Sequence, residues 1–516
     1  MRLNLGIVFL FLTTYTLSQN SFLPIDKEEN LLYESELINN VDTFHSIFYP
    51  RLISSITNYD SVQLTLVKDV NSNFKNYLFN KYPAELFNKT TQLIPILNMD
   101  LSKDFLNNPS PYIMGSGLLL HSDISQKLSF YMAVYGASQR FGLSEQKQID
   151  STSILPRIGE YNAHLSGGAY TYTNWRGYVT YKPYRFLNFQ VGKDYNFIGD
   201  GQRSLLLSDN SSSYPFVKAV VTAGKIQYLI LYQFLKDMDT QFSNFPNEKK
   251  YSTSHFLSWN IGKRFNINFF ETVIWRDELE PGVHRGYDFN YMNPVIFFRP
   301  VEFSIGSPDN VMLGSGFRIR LLKKTHFYAQ FIMDEFKLEE VKAKNGWWGN
   351  KYGYQVGLKI YDLFKIKNLF VLGEYNTVKP YTYSHGTSME NYGNMYQPLA
   401  HPLGSNFKEL IGLINYRQKR WQFQIKLSAA KLGIDVDSTN YGQNIYRSYN
   451  DHRQEYGNYT LQGCLTQIVK SEIKASYIIN PLWHLRLEMG LRFYSYSNEI
   501  EVQKQNLIFV AIKTLF

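Results

Sequence analysis

The chain has 516 residues, a formal net charge of +9, 40 Tyr, 37 Phe and a single cysteine, Cys464. One cysteine excludes an intramolecular disulfide, and no stretch of eighteen apolar residues exists that could cross a membrane as a helix. Lys and Arg are scattered, with no basic run beyond Lys249-Lys250 and Lys323-Lys324, so nucleic acid is not indicated; the surplus reads as attraction to anionic lipid head groups or an acidic glycan, or as solvated surface.

In chain order, Met1-Arg2, the apolar run Leu3 to Leu12 and the small residues of Thr16-Leu-Ser18 read as an export signal over 1–18. Residues 19–89 carry helical spacing: Leu31, Leu37, Ile38 and Val41 in one segment, and Val70, Phe74, Tyr77 and Leu78 at i, i+4, i+7 and i+8 in another. Such helices are too short and polar to span a membrane. They predict a periplasmic helical segment at the mouth of the domain that follows.

From residue 90 onward the period is two. Leu128, Phe130, Met132 and Val134 alternate with Ser129, Tyr131 and Ala133, and Leu187, Phe189 and Val191 alternate with Asn188, Gln190 and Gly192. Seventeen such segments run from 113–121 to the closing strand 505–516, where Ile508, Val510, Ile512 and Thr514 form one row. Backbone groups in lipid must be satisfied within the chain, so strands of this kind imply a closed transmembrane β-barrel. Short connections such as Gly224-Lys225 and Leu322-Lys-Lys324 fall on one side. Long ones, near 139–164, 194–214, 237–252, 277–310, 336–350, 377–405 and 432–465, fall on the other, as in barrels with periplasmic turns and extracellular loops. Counting back from residue 516 leaves the strand at 113–121 starting outside, so one more crossing must precede it. Residues 91–101 supply it, despite Pro95, and the total becomes eighteen over 90–516.

The loops hold the candidate sites. Asn196-Phe-Ile-Gly-Asp-Gly201 lacks the Lys-Ser/Thr ending of a phosphate loop and is expected instead to fold inward, with Asp200, Arg203 and Asp209 as structural residues, Arg203 pairing Asp209, and 205–207 buried. The apolar loop 290–310 is expected to pack into the mouth or along the wall as a plug, with Arg299 and Glu302 satisfying one another. Sugar recognition needs aromatic platforms beside amides and other polar groups. Trp347, Trp348, Tyr381, Tyr383, His385, Asn391, Tyr392, Asn394 and Tyr396 meet that need on outer loops; the same aromatics also suit an interfacial girdle or a plug.

Three runs, 192–210, 291–310 and Asn391-Tyr-Gly-Asn-Met-Tyr-Gln-Pro-Leu-Ala-His-Pro-Leu-Gly-Ser-Asn406, together resemble the Wzi-type capsule-assembly outer-membrane family, most closely its RemB-like gliding-motility branch. That resemblance implies an eighteen-stranded barrel with a periplasmic helical piece, a lumen closed by extracellular loops, and a lectin-like role holding surface polysaccharide. Outer-membrane barrels generally imply that Phe516 is read by the barrel-assembly machinery. There is no Gly-x-Ser-x-Gly elbow, no zinc spacing and no cysteine near a histidine, so the chain reads as non-enzymatic, without cofactor or metal. A solute-conducting porin and an accessory that binds surface motility or adhesion proteins remain the alternatives.

Overall fold

Residues that alternate in polarity with period two can satisfy every backbone group in lipid only by pairing around a ring, and that ring is what forms. The computed structural model describes residues 22–37, 45, 48–56, 59–68, 72–82, 84–86, 90–238, 248–280, 282–294 and 309–516. The export signal therefore lies outside the described residues, as do Ile38, Val41 and Val70. Eighteen antiparallel strands close the barrel. They are β1 (Thr91–Asp104), β2 (Tyr112–Asp123), β3 (Leu128–Arg140), β4 (Ala169–Tyr184), β5 (Leu187–Asp194), β6 (Tyr214–Ala223), β7 (Ile226–Lys236), β8 (Lys249–Ile261) and β9 (Phe265–Arg276) in the first half. The second half comprises β10 (Asn310–Leu322), β11 (Thr325–Met333), β12 (Tyr352–Tyr361), β13 (Leu369–Val378), β14 (Phe407–Gln418), β15 (Trp421–Ile434), β16 (Cys464–Asn480), β17 (Leu485–Ser497) and β18 (Val502–Thr514).

The seam is β18 against β1, in register from Leu507↔Asp104 to Lys513↔Asn98. Pro95 is tolerated because that ladder has ended before it is reached: β18 meets Pro95 only through Thr514 Oγ1, which donates to the Pro95 carbonyl, while the other edge pairs with Leu118 of β2. Leu118, Val134, Val179, Ile425, Leu491 and Val510 are exposed on the outer face, whereas Asp100, Gln190, Gln424 and Glu488 are buried on the inner one. An apolar exterior around a polar interior suits lipid outside and a hydrated lumen inside. Near the short turns, Tyr184 stacks on Phe186 at 5.5 Å and Trp421 meets Tyr477 at 5.0 Å, the start of an aromatic girdle.

Every connection at one end, here the turn end, is short. The other, the loop end, carries the long segments, although two of its connections, 105–111 and 498–501, are also short.

Among the described residues, three α-helices precede the barrel: α1 (Lys27–Leu37), α2 (Tyr59–Leu66) and α3 (Asn73–Asn80). The last two cap the turn end, where Arg420 donates to the carbonyls of Leu66 and Phe79 and Trp483 Nε1 donates to that of Lys81. The apolar stripe of α3 is not a packing face, since Phe74 and Tyr77 are exposed. α1 does not stop at the mouth as the sequence suggests. Its acidic face, placed against basic side chains of the inner wall, takes it into the lumen.

The described stretch 282–294 of the connection 277–309 follows the second of its two expected courses, along the wall. Tyr232 and Tyr228 of β7 donate to the carbonyls of Met292 and Pro294, at 2.9 and 2.8 Å, and Tyr287 lies 2.5 Å from Thr253 of β8. Because Tyr228 is near the turn end, the strap descends most of the outer wall. It touches Thr253, and the outward positions Thr253, His255 and Glu271 on this side of the wall are polar, buried and costly to present to lipid. Arg299 and Glu302 fall outside the described residues.

Candidate functional site

Two plugs meet inside the barrel and set the floor of its loop end. From the turn end, α1 brings Glu28, Glu29 and Glu34 against the wall. Lys474 lies 2.5 Å from Glu28, Arg486 and His484 lie 2.8 and 3.0 Å from Glu29, and Arg51 and Lys359 lie 3.0 and 3.2 Å from Glu34. Burial alone would raise these carboxyls. The cations overcome it, holding Glu28 down to about 2 through Lys474 and Arg486, and Glu34 still lower through Lys359 and Arg51.

From the loop end, 195–213 folds inward as the sequence predicts, and Leu205, Leu206 and Leu207 are fully buried. Its turn wraps a wall carboxylate: Glu374 accepts from the backbone N–H groups of Gln202 and Arg203 at 2.6 and 3.0 Å. A Cβ at Gly201 would sit 2.2 Å from Glu374 Oε2, so this approach requires glycine. The expected Arg203–Asp209 pair is replaced. Arg203 reaches Glu409 of β14 at 3.2 Å, Asp209 is held by Arg157 at 3.1 Å, and Asp200 by Arg318 at 3.2 Å, because each side chain finds its partner on the facing wall or loop and not along its own turn. Phe48–Tyr49 pairs with Phe197–Ile198, joining the two plugs at mid-lumen.

The loop 379–406 packs onto that core, and here most of the expected sugar contacts turn out to be structural. Tyr383 and Tyr392 donate to the carbonyls of Leu205 and Leu206 at 2.8 and 2.7 Å, and their rings stack at 5.8 Å. Tyr381 donates to the Asn440 carbonyl at 2.9 Å, Asn391 accepts from Lys250 at 2.9 Å, and Asn394 donates to Ser212 at 3.1 Å. These five side chains are buried and present no ring face or amide to solvent. A tyrosine whose hydroxyl can cap a buried carbonyl is as well suited to closing a plug as to receiving a sugar. Tyr396 is half-buried and stacked on Tyr446 at 4.0 Å. Phe516 turns inward after Thr514: Arg176 donates to its carbonyl at 2.6 Å and lies 4.5 Å from its ring.

A crevice of about 410 Å³ opens at the loop end, lined by Asp309, Asp334, Glu335, His385, Thr387, Tyr449 and Asn450 among others. The loops 379–406 and 435–463 shape it jointly. Ser448 and Asn450 donate to the Gly386 carbonyl at 2.7 and 3.3 Å, and His385 meets the Tyr449 ring edge-on at 5.5 Å. Lys351 beneath them pairs with Asp334 and Glu335 at 3.2 and 3.3 Å and lies 4.2 Å from the Tyr449 ring. Burial pushes the Asp334 carboxyl up against the pull of Lys351.

An aromatic rim adjoins the crevice. Trp348 stacks on His452 at 4.3 Å and lies 5.0 Å from Tyr449, and Glu455 accepts from both Trp347 and Trp348 indoles at 2.6 and 3.2 Å. Thus Trp347, Trp348 and His385 come together, whereas Tyr449, Asn450, His452 and Glu455 were missed. The run Tyr446-Arg-Ser-Tyr-Asn-Asp-His452 carries the same aromatic and amide signal within the long connection 432–465. Platforms, amides and carboxylates at one opening can hold the faces and hydroxyls of a sugar.

No family model matches the chain, and no curated protein sequence does. Among solved structures, the chain is similar to Wzi of Escherichia coli, described as an outer-membrane protein involved in group 1 capsule assembly and a carbohydrate-binding β-barrel: 11% identity over 96% of this chain and 99% of that one, TM-score 0.59. OccAB2 of Acinetobacter baumannii aligns at 11% identity over 82% and 97%, with a TM-score of 0.46, and OprD of Pseudomonas aeruginosa at 10% over 84% and 97%, with 0.43. At these identities the likeness concerns the fold. This chain is an eighteen-stranded antiparallel β-barrel with helices before its first strand.

Proposed function

We propose that this barrel is a closed, non-catalytic surface receptor that binds and anchors polysaccharide at its loop end, which faces the cell exterior while the turn end faces the periplasm. The crevice between 379–406 and 435–463, with Tyr449 and the Trp348–His452 stack at its rim, is the observation that carries this reading. Two interlocked plugs support a holding role over transport, because they occupy the lumen below the crevice. Similarity of fold to a barrel described as carbohydrate-binding is consistent with it. In this reading, residues 1–18 direct export, and Phe516 serves the assembly machinery before it turns into the lumen.

Purified protein tested on a glycan array and in planar bilayers decides between holding and conducting. Retention of polysaccharide with no steady conductance is expected; large steady conductance without retention would make the protein a porin. Gene deletion extends the test to the cell, with capsule staining and surface spreading scored together. Capsule detachment is expected, and lost spreading with an intact capsule would assign the loop end to motility or adhesion proteins instead.

A further inference from the structure

A second, separate space lies deeper, where the start of α1 and the turn 202–210 leave the wall of β3, β4 and β15 uncovered. This chamber measures about 590 Å³ and is lined by Tyr135, Tyr172, Asn174, Tyr195 and Lys426 together with residues of both plugs. That is the size of a pocket for a small organic ligand.

Its charges are unevenly satisfied. Arg157, Arg176 and Arg203 at its edge are engaged by Asp209, Asp194 and Glu409, and Glu28 by Lys474 and Arg486. Lys426, which projects inward from the middle of β15, makes no ion pair or hydrogen bond with any described residue. Asn174 of β4 likewise makes no side-chain hydrogen bond. Glu28, Glu409 and Glu472 act on the Lys426 ammonium only from beyond ion-pair distance, so a half-buried cation, an idle amide and tyrosine rings face one space that can receive an anion.

We propose that the chamber binds a small carboxylated saccharide, of the size of one hexuronate residue. Lys426 pairs with the carboxylate, Asn174 hydrogen-bonds a ring hydroxyl, and a Tyr135 or Tyr172 face supports the pyranose. This site is distinct from the loop-end crevice and does not depend on it.

Titration calorimetry of the full-length protein in detergent, with glucuronate as probe and glucose as the neutral control, tests the assignment. Saturable glucuronate binding is expected, with glucose giving none. Lys426→Met should weaken it by about tenfold or more, and Asn174→Trp, which fills the chamber, should abolish it. Tyr449→Ala should leave it unchanged, so failure here is separable from failure at the crevice. Heat-modifiable migration on gels reports whether each variant is folded. Glucuronate binding that is absent, matched by glucose, displaced equally by inorganic phosphate, or undiminished in folded Lys426→Met would overturn the proposal; the unmodified protein alone decides the first three.

Discussion

The two plugs fill one lumen by opposite physics. α1 is held mainly by charge: three of its carboxylates lie against Lys474, Arg486, His484, Arg51 and Lys359, and its apolar contacts are those of Leu31, Leu32 and Tyr33. The loop-end plug adds a large apolar core to its ion pairs, with Leu205 to Leu207 enclosed by Tyr383, Tyr392, Leu399 and Phe256 and its tyrosine hydroxyls capping backbone carbonyls. An element that rests mainly on charge responds to pH and salt. One with an apolar core responds chiefly to the loss of carbon atoms and much less to either.

Acid is the strongest way to separate them. The Glu28, Glu29 and Glu34 carboxyls are all depressed below the ordinary value of 4.5, so their contribution is present above that value and is lost as pH falls toward and below about 2. Hydrogen exchange should show α1 amides opening between about pH 4.5 and 2 while 195–213 stays protected. Equal opening of both would contradict the contrast.

Glu34→Gln reproduces part of this at neutral pH. It leaves Arg51 and Lys359 buried without their counter-charge, and breaking such a cluster costs about 3–5 kcal/mol. Thermal unfolding in micelles should report that loss, together with a new salt-dependent conductance. Leu206→Ala should cost about 3 kcal/mol and expose 195–213 to protease, with no change in the acid transition of α1. Tyr392→Phe removes a hydroxyl that donates to the Leu206 carbonyl and should cost about 1 kcal/mol, read as a small drop in melting temperature.

The same contrast explains what could be read from sequence. Strand positions were legible because lipid and lumen impose opposite polarity on alternate residues: Val510 and Lys513 declare their faces without knowledge of any neighbour. The parity of the connections then exposed β1. The wall partners of the plugs were not legible, since Arg203 meets Glu409 across two hundred residues and only the barrel's register brings them together. Loop tyrosines were ambiguous for a different reason. Tyr392 and Tyr449 are chemically alike, and only the location of a buried carbonyl or an open crevice separates plug from platform.

The most direct test of the account is the affinity of purified protein for the polysaccharide of its own cell surface, compared between the unmodified chain and Tyr449→Ala. Loss of a ring platform at a binding site should weaken binding by about 1–2 kcal/mol, roughly five- to thirtyfold, with barrel stability unchanged. Undiminished affinity in the folded variant would place sugar recognition elsewhere and contradict the assignment of the loop-end crevice.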